Sequence, residues 1–297
     1  MKISVVSGKG GTGKTFVAVN LAVTAQDAVY MDCDVEEPNG RLFLKPNVTR
    51  ELPVHILVPH IDSVRCTGCR KCVSFCRFNA LAMVKGKPIL FPEICHSCGG
   101  CSLVCPVGAI SERPLQVGAV QLGYVGSGKE TRPSLRIVTG VLSIGKVSAV
   151  PVVKATLDAG AALSYDDAQA DVASQMVSVI DCPPGSGCSV LESVAGSDFC
   201  LMVVEPTAFG FHNFRMIEQI PKQLGIPCAV VINKDGEPYA PLEAYCAEHS
   251  VPILARIPYR EDLTEILSEG TLAVKADREL ARLFEQLLRA IVDGGEA

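Results

Sequence analysis

Two sets of residues in this chain have the types and spacing to do chemistry. The first is Gly8-Lys9-Gly10-Gly11-Thr12-Gly13-Lys14-Thr15, entered directly from the apolar run Ile3-Ser4-Val5-Val6. Its glycines let the backbone turn tightly and point N–H groups inward, and a helix starting near Lys14 adds its positive end, so the loop suits phosphate oxygens. Lys14 is placed to reach the β and γ phosphates of a nucleotide, and the Thr15 hydroxyl to sit on magnesium. A purely structural turn is the alternative, against which the full G-x-x-x-x-G-K-T spacing at a strand-to-helix junction argues. The second set is a repeat at a 29-residue offset: Cys66, Cys69, Cys72 and Cys76, then Cys95, Cys98, Cys101 and Cys105 followed by Pro106. Thiolates at this spacing wrap three corners of a cubane iron–sulfur cluster, and the fourth cysteine of each run reaches across to the other cluster. By that rule Cys66, Cys69, Cys72 and Cys105 hold one [4Fe–4S] centre, and Cys95, Cys98, Cys101 and Cys76 hold the second. Zinc is the rival metal; it is usually held by paired C-x-x-C knuckles, which a doubled four-cysteine run matches poorly.

The elements that position the loop are a β-α-β unit. Phe16 to Ala25 places Val17, Leu21 and Ala25 on one helical face, and Ala28-Val29-Tyr30-Met31 is a short apolar strand ending at Asp32. The segment Asp32-Cys33-Asp34 therefore lies at the carboxyl edge of an open sheet, where ligands bind, and Asp34 can face the nucleotide. Val177 to Ile180 is a second buried-strand pattern ending in Asp181, followed by Cys182-Pro183-Pro184-Gly185. An aspartate there can bind the magnesium shell, and the Pro-Pro-Gly turn can carry a response to the γ-phosphate into the next segment. Phe199 to Val204 and Pro227 to Ile232 are further strands, the latter ending at Asn233, whose amide can hydrogen-bond adenine. Turn or cap roles are the bland alternatives for Asp34, Asp181, Gly185 and Asn233.

The phosphate loop with its second lysine, Lys9, resembles the deviant Walker A signature of the MinD/Mrp and nitrogenase-iron-protein superfamily of dimeric P-loop ATPases, the SIMIBI class. That resemblance implies that MgATP binds between protomers of a homodimer, or of a heterodimer with a related ATPase. It also implies that Lys9 crosses the interface to neutralise charge developing on the partner's nucleotide, although alone it reads as a solvated loop lysine. By the same resemblance Asp34 belongs to the first switch, orienting the attacking water and sensing magnesium. Asp181 and Gly185 match the second switch, and Asn233 contacts the base.

The doubled cysteine run resembles a bacterial two-cluster ferredoxin. Arg77 follows Cys76 where that pattern has proline, which alters the local turn or places a cation near a cluster without removing a ligand. Between the runs, Arg77 to Phe91 reads as strand, Lys-Gly turn and strand, shielding the clusters from water. His96 follows Cys95, but thiolates already fill the coordination shell, so it reads as solvated or in support of a ligand. The other six of the fourteen cysteines, at 33, 182, 188, 200, 228 and 246, lack ligand spacing; Cys200 and Cys228 lie in apolar runs that read as core.

Length and composition fit this division. The 297 residues carry a net charge of −5 and a pI near 5.6, which gives no general nucleic-acid-binding surface. No apolar run approaches a membrane span, and so many cysteines point to metal ligation in a reducing compartment rather than to disulfides, so a cytoplasmic protein with no stable membrane anchor is expected. Beyond Pro114 the alternating pattern returns gradually through a Gly-rich stretch. Within it Gly126-Ser127-Gly128-Lys129 lacks an upstream strand and reads as a turn. Val147 to Leu163, Phe211 to Leu224 and Arg278 to Val292 have helical periodicity, and Ile253 to Ile257 reads as a strand with Tyr259 and Arg260 at the nucleotide rim.

The expected architecture is an α/β P-loop NTPase with a doubly wound, mostly parallel sheet. Residues 1–58 and 116–297 form it, and residues 59–115 are an inserted α+β ferredoxin-like domain with two [4Fe–4S] clusters. The favoured function is an ATP-driven conformational switch coupled to electron transfer to an unknown redox or client protein. Iron–sulfur cluster assembly or delivery is one alternative. A MinD-like positioning ATPase with redox-sensing clusters is another, for which the C-terminal residues offer no basic amphipathic membrane helix.

Overall fold

The computed structural model describes residues 1–25, 27–126, 135–146, 148–165 and 176–294. Its strands are β1 (Lys2–Val6), β2 (Ala28–Asp32), β3 (Asn47–Ile61), β4 (Leu81–Val84), β5 (Lys87–Leu90), β6 (Ile110–Val125), β7 (Leu135–Leu142), β8 (Val177–Asp181), β9 (Phe199–Val204), β10 (Cys228–Asp235) and β11 (Ile253–Pro258). All but β4 and β5 join one sheet in the order β11-β10-β9-β1-β8-β2-β7-β6-β3. From β11 to β7 every neighbour is parallel, and β6 and β3 close the far side antiparallel.

The short apolar runs become strands because both faces of the parallel part are covered. On one face helices Lys14–Thr24 and Arg278–Gly294 bury Phe16, Leu21, Phe284 and Leu287 against Ile3, Tyr30 and Leu201. On the other, helices Val150–Tyr165, Cys188–Val194 and Ala208–Ile217 pack Val152, Val190 and Phe214 onto Met31, Ile180 and Met202. Cys33, Cys182 and Cys200 are buried within this second layer, whereas Cys228 is only half-buried.

Two long strands differ from the sequence reading. Residues 47–61 and 110–125 are continuous strands, although the first contains Pro53 and Pro59 and the second runs through the Gly-rich stretch. The prolines are tolerated because β3 is the edge of the sheet, where an N–H is not required on the outer side. Gly118 and Gly123 sit where a Cβ would collide with the neighbouring strands, at the Val141 carbonyl and the Asn47 carbonyl respectively. Glycine in this stretch marks close backbone approach rather than loop. A further difference is that Ala208–Ile217 and Gln219–Leu224 are two helices, with the break at Glu218; Pro221 cannot donate back to the preceding turn. Residues Ser127, Gly128 and Lys129 of the expected turn, and Val147 at the start of the expected helix, lie outside the described residues.

β6 pairs with β7 only from Gly118 to Val125, yet it pairs with β3 from Ile110 to Tyr124 with one interruption, at Val117. Residues 110–116 and 55–61 therefore leave the sheet as a two-stranded arm. The departure is marked by a bulge, since the register jumps from Val54 opposite Gly118 to His55 opposite Gln116, and the skipped Val117 carbonyl accepts the Ser143 N–H at 2.9 Å. Residues 62–109 sit at the tip of the arm. They comprise helices Lys71–Phe75 and Gly100–Leu103, the β4–β5 hairpin with its Lys85-Gly86 turn, and a 3-10 turn at Pro92–Ile94.

Candidate functional site

Parallel register brings the phosphate loop and the two acidic strand ends to one edge. Val5 of β1 lies opposite Asp181 of β8, and Asp181 lies opposite Asp32 of β2. The loop leaves β1 with Gly11 and Gly13 at φ of +80° and +92°, conformations that glycine adopts without steric cost. It packs tightly from behind: a Cβ on Gly13 would strike the Asn233 amide, and one on Gly8 would lie 2.5 Å from the Asn213 Cβ. In front is a cavity of about 840 Å³ lined by Lys9, Gly10, Gly11, Gly13, Lys14, Thr15, Asp34 and the switch prolines Pro183 and Pro184. Gly185, at φ +91°, donates its N–H to the Ser7 carbonyl at 2.9 Å, tying the Pro-Pro-Gly turn to the start of the loop.

Lys14 is buried and donates to Asp181 Oδ1 at 2.5 Å, with Asp34 Oδ2 at 3.5 Å. Burial alone would favour the neutral amine, but Asp181, Asp34 and Asp32 outweigh it and keep Lys14 firmly protonated. Tyr30 donates to the other oxygen of Asp181 at 2.9 Å. Asp32 is fully buried and accepts from the Gly40 N–H at 3.0 Å and the Asp34 N–H at 3.3 Å, so it braces the segment between them from inside. Burial, then repulsion from Asp181, pushes the Asp32 carboxyl well above its ordinary range; burial likewise raises Asp34 against the pull of Lys14. Three carboxylates thus crowd one lysine. Of these, Asp34 and Asp181, with the Thr15 hydroxyl at the helix start, would suit a divalent cation that takes its remaining ligands from bound phosphates and water.

Lys9 lies at the cavity rim. Its ammonium pairs with Glu205 Oε2 at 2.8 Å and stands 4.9 Å from the centre of the Phe209 ring. Thr12 turns away from the cavity and donates its hydroxyl to the Lys9 carbonyl at 2.9 Å. Asn233 is buried behind the loop and donates to the Thr12 carbonyl at 2.7 Å, so here its amide braces the loop from the side opposite the cavity. Tyr259 is exposed, and Arg260 is spent on Asp262 and Asp277.

The cysteines form two groups at the tip of the arm. Cys66, Cys69, Cys72 and Cys105 line one small cavity; Cys76, Cys95, Cys98 and Cys101 line another. Each group takes three thiols from one run and the fourth from the other. The repeat extends to backbone conformation: Gly68 and Ser97, Arg70 and Gly99, and Asn79 and Gly108 are all left-handed, each pair at the same 29-residue offset as the cysteines. Both helices, Lys71–Phe75 and Gly100–Leu103, begin directly after the second pair. The Ala109 N–H points at Cys105 Sγ at 3.2 Å, and backbone N–H groups there outweigh slight burial to hold this thiol below its ordinary range; burial instead pushes Cys72 and Cys101 up. Among the described residues no three His, Cys, Asp or Glu side chains converge on a single point as ligands of one ion must. Four thiols spaced around a void suit a group with separate corners. His96 stacks on Phe78 with ring centres 3.7 Å apart, at the wall of the second cavity, and Arg77 is exposed.

Tyr30, Asp32, Glu205 and Lys234 are absent from the sequence-derived site. Asp32 carried a signal as the first acid of Asp32-Cys33-Asp34, and Lys234 as the neighbour of Asn233. Tyr30 reads only as a core aromatic, and Glu205 only as the end of a strand.

An uncharacterized protein of Methanocaldococcus jannaschii, MJ0579, is 24% identical over 304 aligned residues, covering 99% of this chain and 98% of that protein. An uncharacterized ferredoxin of the same organism, MJ0155, is 32% identical over 68 residues, which cover 22% of this chain and 45% of the ferredoxin. Among solved structures, the septum site-determining protein MinD of Pyrococcus horikoshii, in complex with Mg-ADP, superposes with a TM-score of 0.55 at 19% identity, covering 98% of this chain and 95% of that one. This likeness is one of fold, the mostly parallel α/β sheet. Residues 3–274 match the family described as the CobQ/CobB/MinD/ParA nucleotide binding domain, so the chain belongs to that family and is a P-loop ATPase of the MinD/ParA class.

Proposed function

We propose that the protein couples an ATP-driven switch between protomers to electron transfer through two [4Fe–4S] clusters in the module of residues 62–109. The observation that carries this reading is the grouping of eight cysteines into two cavities, each completed by the fourth cysteine of the opposite run, at the end of an arm continuous with the ATPase sheet. A fourth ligand drawn from the opposite run is the two-cluster ferredoxin arrangement, and the partial likeness to an uncharacterized ferredoxin is consistent with it. When bound, the clusters would supply low-potential one-electron transfer. This chain's own residues supply the rest. The loop N–H groups and Lys14 bind phosphates, Thr15, Asp34 and Asp181 hold magnesium and its waters, and Asp34 orients the attacking water. Lys9 serves the nucleotide of a second protomer. Asn233, its amide on the Thr12 carbonyl behind the loop, holds the loop in shape rather than contacting the base.

The coupling route follows from chain order. The first switch leads through helix Gly40–Leu44 directly into β3, one half of the arm. Movement of Asp34 and Asn39 on nucleotide exchange therefore pulls on the strand that carries the cysteine module.

An anaerobic redox titration followed by EPR, with and without MgATP and with iron and sulfide quantified on the same sample, tests this. A nucleotide-dependent shift in cluster potential or spectrum supports coupling. No shift, with nucleotide bound and iron complete, overturns it. Transfer of an intact cluster to an apo acceptor would instead favour the delivery function.

A further inference from the structure

Glu205 follows the last residue of β9 and carries two lysines on one carboxylate. Lys9 Nζ meets Oε2 at 2.8 Å and Lys234 Nζ meets Oε1 at 2.7 Å; Lys234 also donates to the Gly11 carbonyl at 2.8 Å. The carboxylate is well placed to hold them. Its own backbone is fixed by a Glu205 carbonyl bond to Thr207 N at 2.8 Å, and Gly210 approaches that carbonyl so closely that a Cβ would not fit. Thr207 caps the next helix through Gly210 N at 3.0 Å. The Lys9 carbonyl is likewise pinned, accepting from Ser7 Oγ at 2.8 Å and Thr12 Oγ1 at 2.9 Å. Of Lys9, only the side chain is free to change partner.

We propose that Glu205 is a positioning residue that holds Lys9 within its own protomer until a nucleotide-loaded second copy arrives, with Lys234 keeping the carboxylate paired once Lys9 leaves. This rests on the dimeric reading of the ATPase given above. A lysine bound to Glu205 and lying against Phe209 cannot also reach another protomer's nucleotide, so assembly must break this contact. Departure of a lone partner would strand a buried carboxylate, which is costly. Here the second lysine removes that cost, because Glu205 stays paired and Lys234 stays on the loop carbonyl. The device is reversible: hydrolysis and separation return Lys9 to a carboxylate whose position has not changed.

Two measurements on the full chain test this. The first is the rate of amine labelling at Lys9, read by mass spectrometry in the nucleotide-free parent and in Glu205→Gln, with the exposed Lys45 as internal standard. The second is the dimer dissociation constant, from sedimentation velocity with magnesium and a non-hydrolysable ATP analogue. In Glu205→Gln, labelling at Lys9 rises about threefold, and the dimer tightens about tenfold because two such contacts open per dimer. Lys234→Gln shifts the dimer constant the other way. Unchanged labelling at Lys9 overturns the proposal, as does faster labelling with an unchanged or weaker dimer. A parent chain that stays monomeric with the analogue overturns the dimeric reading, and this proposal with it; a parent that dimerises while the variant behaves identically overturns the proposal alone.

Discussion

The nucleotide edge and the cysteine module hold their shapes by different means. At the edge, Lys14, Asp181, Asp32 and Tyr30 are buried among two large apolar layers, and the sheet beneath them is covered on both faces. In the module, Cys72 and Leu81 form one small buried apolar cluster with Ile110 of β6, with partly buried neighbours that include three more of the cysteines. Phe75, Phe78, Phe91, Ile94 and Leu103 remain exposed. A segment of this size with so little core does not order itself by apolar burial alone and needs a staple. The grouped thiols are the side chains placed to hold one. On the proposed reading, one region is built first and then binds its ligand, whereas the other would be completed by the group it holds.

The largest test of that contrast is iron removal. Anaerobic chelation should abolish hydrogen-exchange protection across residues 62–109 while the amides of β1, β8 and β9 keep theirs. Protection that survives in the module without iron would break the comparison.

Lys14→Ala attacks the other region. Loss of a charge-stabilising group at the phosphates should lower ATP turnover by at least about 10²-fold, with iron content unchanged. Coincident loss of iron would show that the two regions are not independent.

The third test sharpens the comparison through pH. Burial, and then Asp181, hold the Asp32 carboxyl above its unfolded value, so the native chain takes up that proton more readily than the unfolded one. Its contribution to stability is complete below the ordinary carboxylate range and is lost as pH rises through the raised native value. Asp32→Asn should therefore stabilise the nucleotide-free chain in urea unfolding by about 1 kcal/mol or more at pH 8. The difference should narrow toward pH 5, while cluster content does not respond. A variant less stable than the parent at pH 8 would show that the bonds to Gly40 and Asp34 outweigh the buried charge.

Tyr30→Phe should have the smallest effect. It removes one hydrogen bond to Asp181 and should cost about 1 kcal/mol in the unfolding of the same region. A much larger loss would mean that Tyr30 also aligns Asp181 for Lys14.

Much of this was legible because both chemistries are written in local spacing. The G-x-x-x-x-G-K-T run and each cysteine run are short stretches of chain, so residue type and offset suffice to name the loop and to group the thiols as the two cavities do. The arm was less legible. Pro53, Pro59, Gly118 and Gly123 normally argue against strand, and an edge position and close backbone approach override them here. Helix Ala208–Ile217 ends earlier than its periodicity implies because Pro221 lies in the continuation.

Sequence alone pointed to the phosphate loop, to the acids Asp34 and Asp181 that follow apolar strands, and to the crossed grouping of Cys76 and Cys105 that the two cavities display. In each case the chemistry depends on neighbours close in the chain or on a repeat that the chain displays. Only the tertiary structure decided that Tyr30 braces Asp181 and Asp32 the segment up to Gly40, that Asn233 lies behind the loop, and that Lys9 and Lys234 share Glu205. Those contacts join residues up to 221 positions apart, across strands whose adjacency is set by sheet order. Burial and charge at such points come from how the strands are arranged side by side, which no local pattern of residues records.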